Sequence, residues 1–300
     1  MAVEESGVDV TRRKKPPANK LSPQSSSLQR SQVFCESPNV MFLSERYLLA
    51  GLIIFRIANA FLIKTFFVPD EFWQGPEVAH RIVFGYGYLT WEWKEGLRGW
   101  SFPFIFATSY KVLALFGADT AKFLVVAPRL VQACFASYGD LFLYKLAVRR
   151  FGPQSGIWTL ICYLISWFTF YCVTRTLTNS LETILTTVAL YYWPSNRVKD
   201  SDDNNKEIIK ALSFAAFSCI IRPTAAIIWI PLCAVYLLSS PNKSVFLFKC
   251  IFPVGCLTML WSIVVNSWLY EKWTLVEVNF VKFNVINDMG TFYGSHPWHW

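Results

Sequence analysis

Apolar residues in this chain gather into eight long runs, at about 47–68, 102–117, 123–147, 155–172, 177–193, 208–221, 224–240 and 246–268. Residues 151–174, 223–242 and 250–270 contain no Asp, Glu, Lys or Arg at all. A helix that spans a bilayer needs roughly 20 mostly apolar residues, and the runs meet or approach that length. The pattern predicts an all-α polytopic membrane protein. Residues 1–42 break the pattern. They are polar, rich in Ser, Pro and Gln, and carry the basic cluster Arg12-Arg13-Lys14-Lys15. They read as a disordered cytosolic tail rather than a signal peptide. The expected organisation is that tail (1–42) followed by one transmembrane module (43–300).

Charge sets the orientation. A basic tail in the cytosol sends residues 69–100 to the far side. The run 102–117 is short, opens near Ser101-Phe102-Pro103 and contains Lys111. If it crossed, Arg149, Arg150, Arg197, Lys199 and Lys206 would lie on the far side. If it does not cross, all of them are cytosolic, which the positive-inside bias favours. The run is therefore expected to be a re-entrant or interfacial helix, leaving about seven crossings. Four polar features then share the far side: the 69–100 loop, Thr174-Arg175-Thr176, Arg222-Pro223 and 271–300. Residues 194–207 read as a solvated cytosolic linker. The sequon Asn242-Lys243-Ser244 falls in a short cytosolic loop.

Composition narrows the function classes. Of 300 residues, 54% are hydrophobic and 16% charged, against about 25% charged in soluble domains. A soluble two-domain protein is excluded. The net charge of +8 counts Lys and Arg at the ends of apolar runs, so it orients the chain and does not point to nucleic acid. The 8 cysteines form no C-x-x-C pair and His occurs only at 80, 296 and 299. Buried free thiols, no metal site and no cofactor are expected. No internal repeat supports a transporter of duplicated halves. A solute path is also disfavoured because the charges cluster at segment ends and in a loop, whereas a conduction path would put more of them mid-span.

The candidate chemistry lies in four stretches. Pro69-Asp70-Glu71 follows the first apolar run; one carboxylate can cap a short helix while the other serves as a general base. Trp91-Glu92-Trp93 with Arg98 combines rings, a carboxylate and a guanidinium. That set suits an aromatic belt at the membrane boundary and also a sugar. Arg175 and Arg222 end apolar runs, where they either snorkel or bind a lipid phosphate. Arg129 is a further member of that set. The terminus holds His296-Pro297-Trp298-His299-Trp300.

Pro69-Asp70-Glu71 with Gln74, followed by Tyr88-Leu89-Thr90-Trp91-Glu92-Trp93, resembles the first luminal loop of the dolichyl-phosphate-mannose-dependent mannosyltransferases. These are glycosyltransferase family 22, with the GT-C fold. Thr174–Glu182, Ile221–Ala225, Lys272–Val276, Asn279–Asn284 and Phe292–Trp300 extend the likeness over about 42–300. The closing His-Pro-Trp-His-Trp is similar to the branch that adds the third mannose, α-1,2-linked, of the glycosylphosphatidylinositol (GPI) core. The resemblance implies about seven transmembrane helices, with interfacial helices in the first luminal loop. It implies a multi-pass protein of the endoplasmic reticulum membrane and a luminal catalytic loop. It also implies an inverting transfer of mannose from dolichyl phosphate mannose to a GPI-precursor glycolipid, without a metal. Asp70 is then the base and Glu71 orients it or contacts the acceptor. Gln74, His80 and His296 contact sugar or phosphate, Glu92 and Arg98 are substrate-binding candidates, and Arg175 and Arg222 are placed by location at the donor phosphate. Two departures stand out. Asn266 occupies a position where members often carry Asp, and members run well past residue 300, so a truncated chain is expected. The alternatives are a sister enzyme of lipid-linked N-glycan assembly and a truncated, non-catalytic membrane protein.

Overall fold

In the computed structural model, residues 44–194, 202–240 and 242–289 are described, with the backbone alone for 202–204. These residues are helical, with turns and no strand among them. The long helices are α1 (Glu45–Leu62), α5 (Ser101–Leu115), α6 (Ala121–Phe151), α7 (Pro153–Ile165), α9 (Thr178–Tyr192), α10 (Asp202–Ile221), α11 (Ala226–Ser239) and α12 (Lys243–Tyr270). Short helices lie between them: α2 (Asp70–Trp73), α3 (Pro76–Phe84), α4 (Trp91–Lys94), α8 (Trp167–Cys172) and α13 (Val276–Val281). By length and apolarity α12 alone among the described residues qualifies as a membrane span, while α5 and the stretch Pro223–Ser239 are shorter apolar helices.

Local chemistry marks the ends. Gly152 closes α6 at φ 93°, and Pro153 opens α7 at a position that needs no N–H. Gly156 then lets α7 lie directly on α6: a Cβ there would collide with Val148 Cγ2. Gly139 makes the same allowance for Ile184 of α9, whose Cγ1 would stand 2.9 Å from a Cβ. The apolar run 155–172 is not one rod. Ser166, in extended conformation at ψ 116°, separates α7 from α8.

Side-chain contacts give the directions. Glu45 meets Lys145 at 3.1 Å and Arg129 Nη1 donates to the Ile63 carbonyl at 3.1 Å, so α1 and α6 run antiparallel. Glu182 meets Arg222 at 3.0 Å, and Arg149 bridges the Tyr191 carbonyl and Glu207, so α9 and α10 are antiparallel too. One end of the bundle therefore collects the C-terminus of α1, the N-termini of α6 and α9 and the end of α10. The other end collects Lys145, Arg149 and Arg150. Helix α5 starts beside Ile220 and Asn266 and packs on α3. Its Tyr110 Oη donates to the Leu124 carbonyl, and residues 116–120 lead into α6. Both ends of α5 thus lie at the first end of the bundle.

Two charges sit in the middle of the bundle. Arg56 of α1 and Asp140 of α6 are almost fully buried and bonded twice, Nε–Oδ2 at 2.6 Å and Nη2–Oδ1 at 2.9 Å. Asn59 leans on the same guanidinium and donates to the Phe170 carbonyl at 2.8 Å. The pair is an exception to the clustering of charges at segment ends and in a loop: it sits mid-helix and neutralises itself. Each partner is tolerable only because of the other.

Asp140→Ala should therefore destabilise the bundle by about 3–5 kcal/mol, whereas Arg56→Met with Asp140→Leu should cost much less. Thermal unfolding of the purified variants in detergent measures the difference. Equal losses in the single and double variants would remove the pair from the stability account.

Candidate functional site

The chain leaves α1 through Thr65-Phe66-Phe67-Val68-Pro69 and makes the single turn α2. Successive residues of a helical turn point about 100° apart, so Asp70 and Glu71 part company. Glu71 turns inward and is 2% exposed. Its Oε1 accepts the Phe67 N–H at 2.5 Å and the Val68 N–H at 3.4 Å. Arg175 Nη1 reaches both its oxygens, at 2.9 and 3.0 Å. The same guanidinium donates to the Thr65 carbonyl at 2.8 Å and to the Tyr171 carbonyl at 2.7 Å, and lies 4.0 Å from the centre of the Tyr171 ring. Thr176 Oγ1 donates to the Glu71 carbonyl at 2.7 Å. The residue that ties up backbone N–H groups ahead of the turn is thus Glu71, while Pro69 holds the N-cap position and Asp70 is the first residue of the turn.

Asp70 faces the open side. Its Oδ2 accepts Gln74 Nε2 at 2.7 Å, and Thr178 Oγ1 donates to Gln74 Oε1 at 3.3 Å, which fixes which way the amide points. Nearby, Arg98 grips Glu92 through Nε and Nη2, at 3.1 and 2.8 Å, and the Arg98 carbonyl accepts Tyr270 Oη at 2.8 Å. Burial on its protein side pushes the Asp70 carboxyl above the usual carboxylate range; Arg98 opposes this and Glu92 adds to it. Burial outweighs the opposing arginine. Among the described residues no group of three or more His, Cys, Asp and Glu lies together as a metal site would require.

An apolar helical bundle with a carboxylate turn on its first loop, at these positions, can be compared with known proteins. Residues 47–300 match the model of the Alg9-like mannosyltransferase family. The chain belongs to this family. It is 48% identical over 254 residues to GPI alpha-1,2-mannosyltransferase 3 of Bos taurus, covering 85% of this chain and 46% of that protein. With the protein of the same name from Homo sapiens it shares 46% over 254 residues, 85% of this chain and 45% of the relative. With "Mannosyltransferase APTG1" of Arabidopsis thaliana it shares 44% over 258 residues, 86% of this chain and 47% of the relative. The chain thus spans about half the length of the curated relatives it matches. No solved structure matches it significantly.

In this Alg9-like chain the expected site residues separate into groups. Asp70, Gln74, Glu92 and Arg98 share one neighbourhood. Glu71 and Arg175 bind each other; Arg175 is 4% exposed, and its Nε and Nη1 are committed to protein acceptors. That differs from the expectation of an arginine open to a phosphate. Arg222 remains 36% exposed while paired with Glu182. His80 packs against Phe84 and Tyr86, with Nδ1 3.1 Å from the Tyr86 carbonyl. No hydrogen bond joins it to Asp70 among the described residues. His296 lies outside the described residues. Arg129 is occupied with the end of α1.

The sequence points to Thr178 and Asn266 but not to the contacts they make. Thr178 reaches Gln74 from the start of α9, 104 residues away. Asn266 is fully buried; its Oδ1 accepts the Trp100 N–H and its Nδ2 donates to Ser262 Oγ, which donates to Glu277. An amide serves here as donor and acceptor at once, which accounts physically for Asn where a charge was expected.

Removing Arg175 strands Glu71 and opens the turn. In Arg175→Met, amide hydrogen exchange at Phe67 and Val68 should accelerate about ten- to a hundredfold, the worth of a charge-assisted bond. Arg222→Met should leave it unchanged. Protection that survives in Arg175→Met would remove the clasp as the determinant of this turn.

Proposed function

We propose that this chain carries the catalytic loop of an inverting mannosyltransferase. It transfers mannose from dolichyl phosphate mannose to a GPI-precursor glycolipid, as the third, α-1,2-linked mannose, in the lumen of the endoplasmic reticulum. The observation that carries the reading is the division of labour at 70–71. Glu71 is locked by Arg175, while Asp70 stays on the open side, held by Gln74 and poised above the usual carboxylate range. The names of the relatives supply the sugar and the acceptor class.

In this reading Asp70 takes the proton of the acceptor hydroxyl. The oxygen attacks the anomeric carbon in line, and dolichyl phosphate leaves from the opposite face, which inverts the centre. Burial that raises the Asp70 pKa strengthens it as a base once it is ionised. Gln74 holds one carboxylate oxygen, leaving the other for the acceptor. Of the two arginines, Arg222 is the more open to the leaving phosphate, which would compete with Glu182 for its guanidinium. Arg175 positions the turn instead.

The orientation follows the same logic. Seven segments cross the membrane: α1, α6, the broken pair α7–α8, α9, α10, α11 and α12. Helix α5 enters and leaves at the luminal end. The grouping of Lys145, Arg149 and Arg150 at the opposite end supports placing that end in the cytosol.

Complementation of cells that cannot add the third GPI mannose tests the function. Surface GPI-anchored protein should return with the wild-type protein, and Asp70→Asn should lower transfer about 10²- to 10⁴-fold. Rescue of an N-glycan mutant instead would assign the chain to the sister reaction. The pH profile tests the base separately. Activity should fall as pH drops through the raised Asp70 pKa. Glu92→Gln removes a like charge and should move this acid limb to lower pH; Arg98→Gln removes the opposing charge and should move it higher. A limb that ignores both changes does not belong to Asp70.

A further inference from the structure

Beside the Asp70 turn lies a second concavity that neither the family nor the relatives' names assign. It has a volume of about 260 Å³, and its walls come from two stretches far apart in the sequence. Trp91, Glu92 and Arg98 form one wall, from the first loop; Phe280, Phe283 and Asn284 form the other. Asn279 Nδ2, donating to the Gly96 carbonyl at 3.2 Å, holds the walls together. Helix α13 ends here in a π-helical turn, Lys282–Ile286, a wide turn often found at functional sites. That turn brings the Phe283 ring to 5.5 Å from the Trp91 ring, and both line the pocket.

The lining selects a ligand class. Arg98 is neutralised by Glu92, with both side chains about a quarter exposed, so the pocket offers no net positive charge for a phosphate. Two rings give apolar faces, while a carboxylate, a guanidinium and an amide offer both acceptors and donors. Asn284 uses Nδ2 on the Phe280 carbonyl at 3.0 Å, so its Oδ1 is the acceptor it can present. Drug-sized ligands occupy roughly 300–1,000 Å³, so this space suits a single sugar ring rather than an oligosaccharide. We propose that the pocket between Trp91-Glu92-Arg98 and Phe280-Phe283-Asn284 is a hexopyranose subsite. The ring's C–H face lies on Phe283 and Trp91, and its hydroxyls bond Glu92, Arg98 and Asn284.

The inference rests on the mannosyltransferase reading, and the sugar belongs to either substrate, the acceptor or the donor. Arg98 and Glu92 are also the charges that act on Asp70, which couples this pocket electrostatically to the proposed base.

Binding is tested without catalysis. The whole protein, purified in lipid nanodiscs, is titrated with methyl α-D-mannopyranoside by saturation-transfer NMR. The wild type should bind saturably. Phe283→Leu and Asn284→Ala should weaken binding about tenfold, the scale of one lost contact in a small site. Phe283→Tyr keeps the ring and should stay within about twofold. These residues lie at a partly exposed turn, and the Phe283→Tyr variant controls for misfolding. Undiminished binding in Phe283→Leu and Asn284→Ala, or weakened binding in Phe283→Tyr as well, overturns the subsite. In transfer assays with labelled donor, a raised KM for the glycolipid in Phe283→Leu supports the subsite and assigns the ring to the acceptor. A raised KM for the donor supports it and assigns the ring to the donor. Neither change, with activity retained, overturns it. Sugar binding that depends on Phe283 in a protein without any transfer activity would sink the mannosyltransferase reading and leave the subsite standing.

Discussion

The ion pair between Glu71 and Arg175 is the constraint on which the rest of the site depends. An ionised carboxylate with 2% exposure is costly unless its lone pairs are used. Here two backbone N–H groups and a guanidinium use them, and the guanidinium gives further bonds to the carbonyls of Thr65 and Tyr171. The pair therefore fixes three things at once: the exit from α1, the single turn α2 and the end of α8. Asp70 inherits its direction from this. It is free to face outward because its neighbour is pinned inward, and Gln74 and Thr178 then set its rotamer.

The mid-bundle pair supports the same region from below. Arg56 and Asp140 join α1 to α6, and Asn59, against the same guanidinium, reaches the Phe170 carbonyl. The next carbonyl along, that of Tyr171, receives Arg175. A continuous set of polar contacts thus runs from the centre of the bundle to the turn that carries Asp70. Hydrogen bonds in such low-dielectric surroundings are strong and directional, which gives the site a rigid floor.

Much of this was legible in the chain, and the failures have physical causes. The helices follow from apolarity, which is a local property. The break at Ser166 was invisible because apolarity runs unbroken through 155–172, while the backbone at one residue decides the bend. Asp70 and Glu71 were recognisable as a candidate pair, yet their orientations in the turn depended on Arg175, 104 residues after Glu71. Arg56 and Asp140 did leave a signal: each is a charge inside an apolar run, and opposite charges of that kind find each other. Phe283 and Asn284 were legible only as part of the 279–284 stretch that carries the resemblance, not as lining of a pocket. Their significance comes only from what α13 faces.

Asn266 brings in time. It bonds the Trp100 N–H across 166 residues, Tyr270 bonds the Arg98 carbonyl across 172, and Asn279 bonds the Gly96 carbonyl across 183. At translation speeds of about 5–20 residues per second, roughly 8–35 s pass before these anchors exist. Throughout that interval the first loop has already emerged while the helix that seats it has not. The carboxylate turn is set early, by partners up to residue 178. The aromatic half of the loop, around Trp91 and Arg98, waits for α12 and α13, so the nascent protein sets the Asp70 turn before the contacts that seat the rest of the loop.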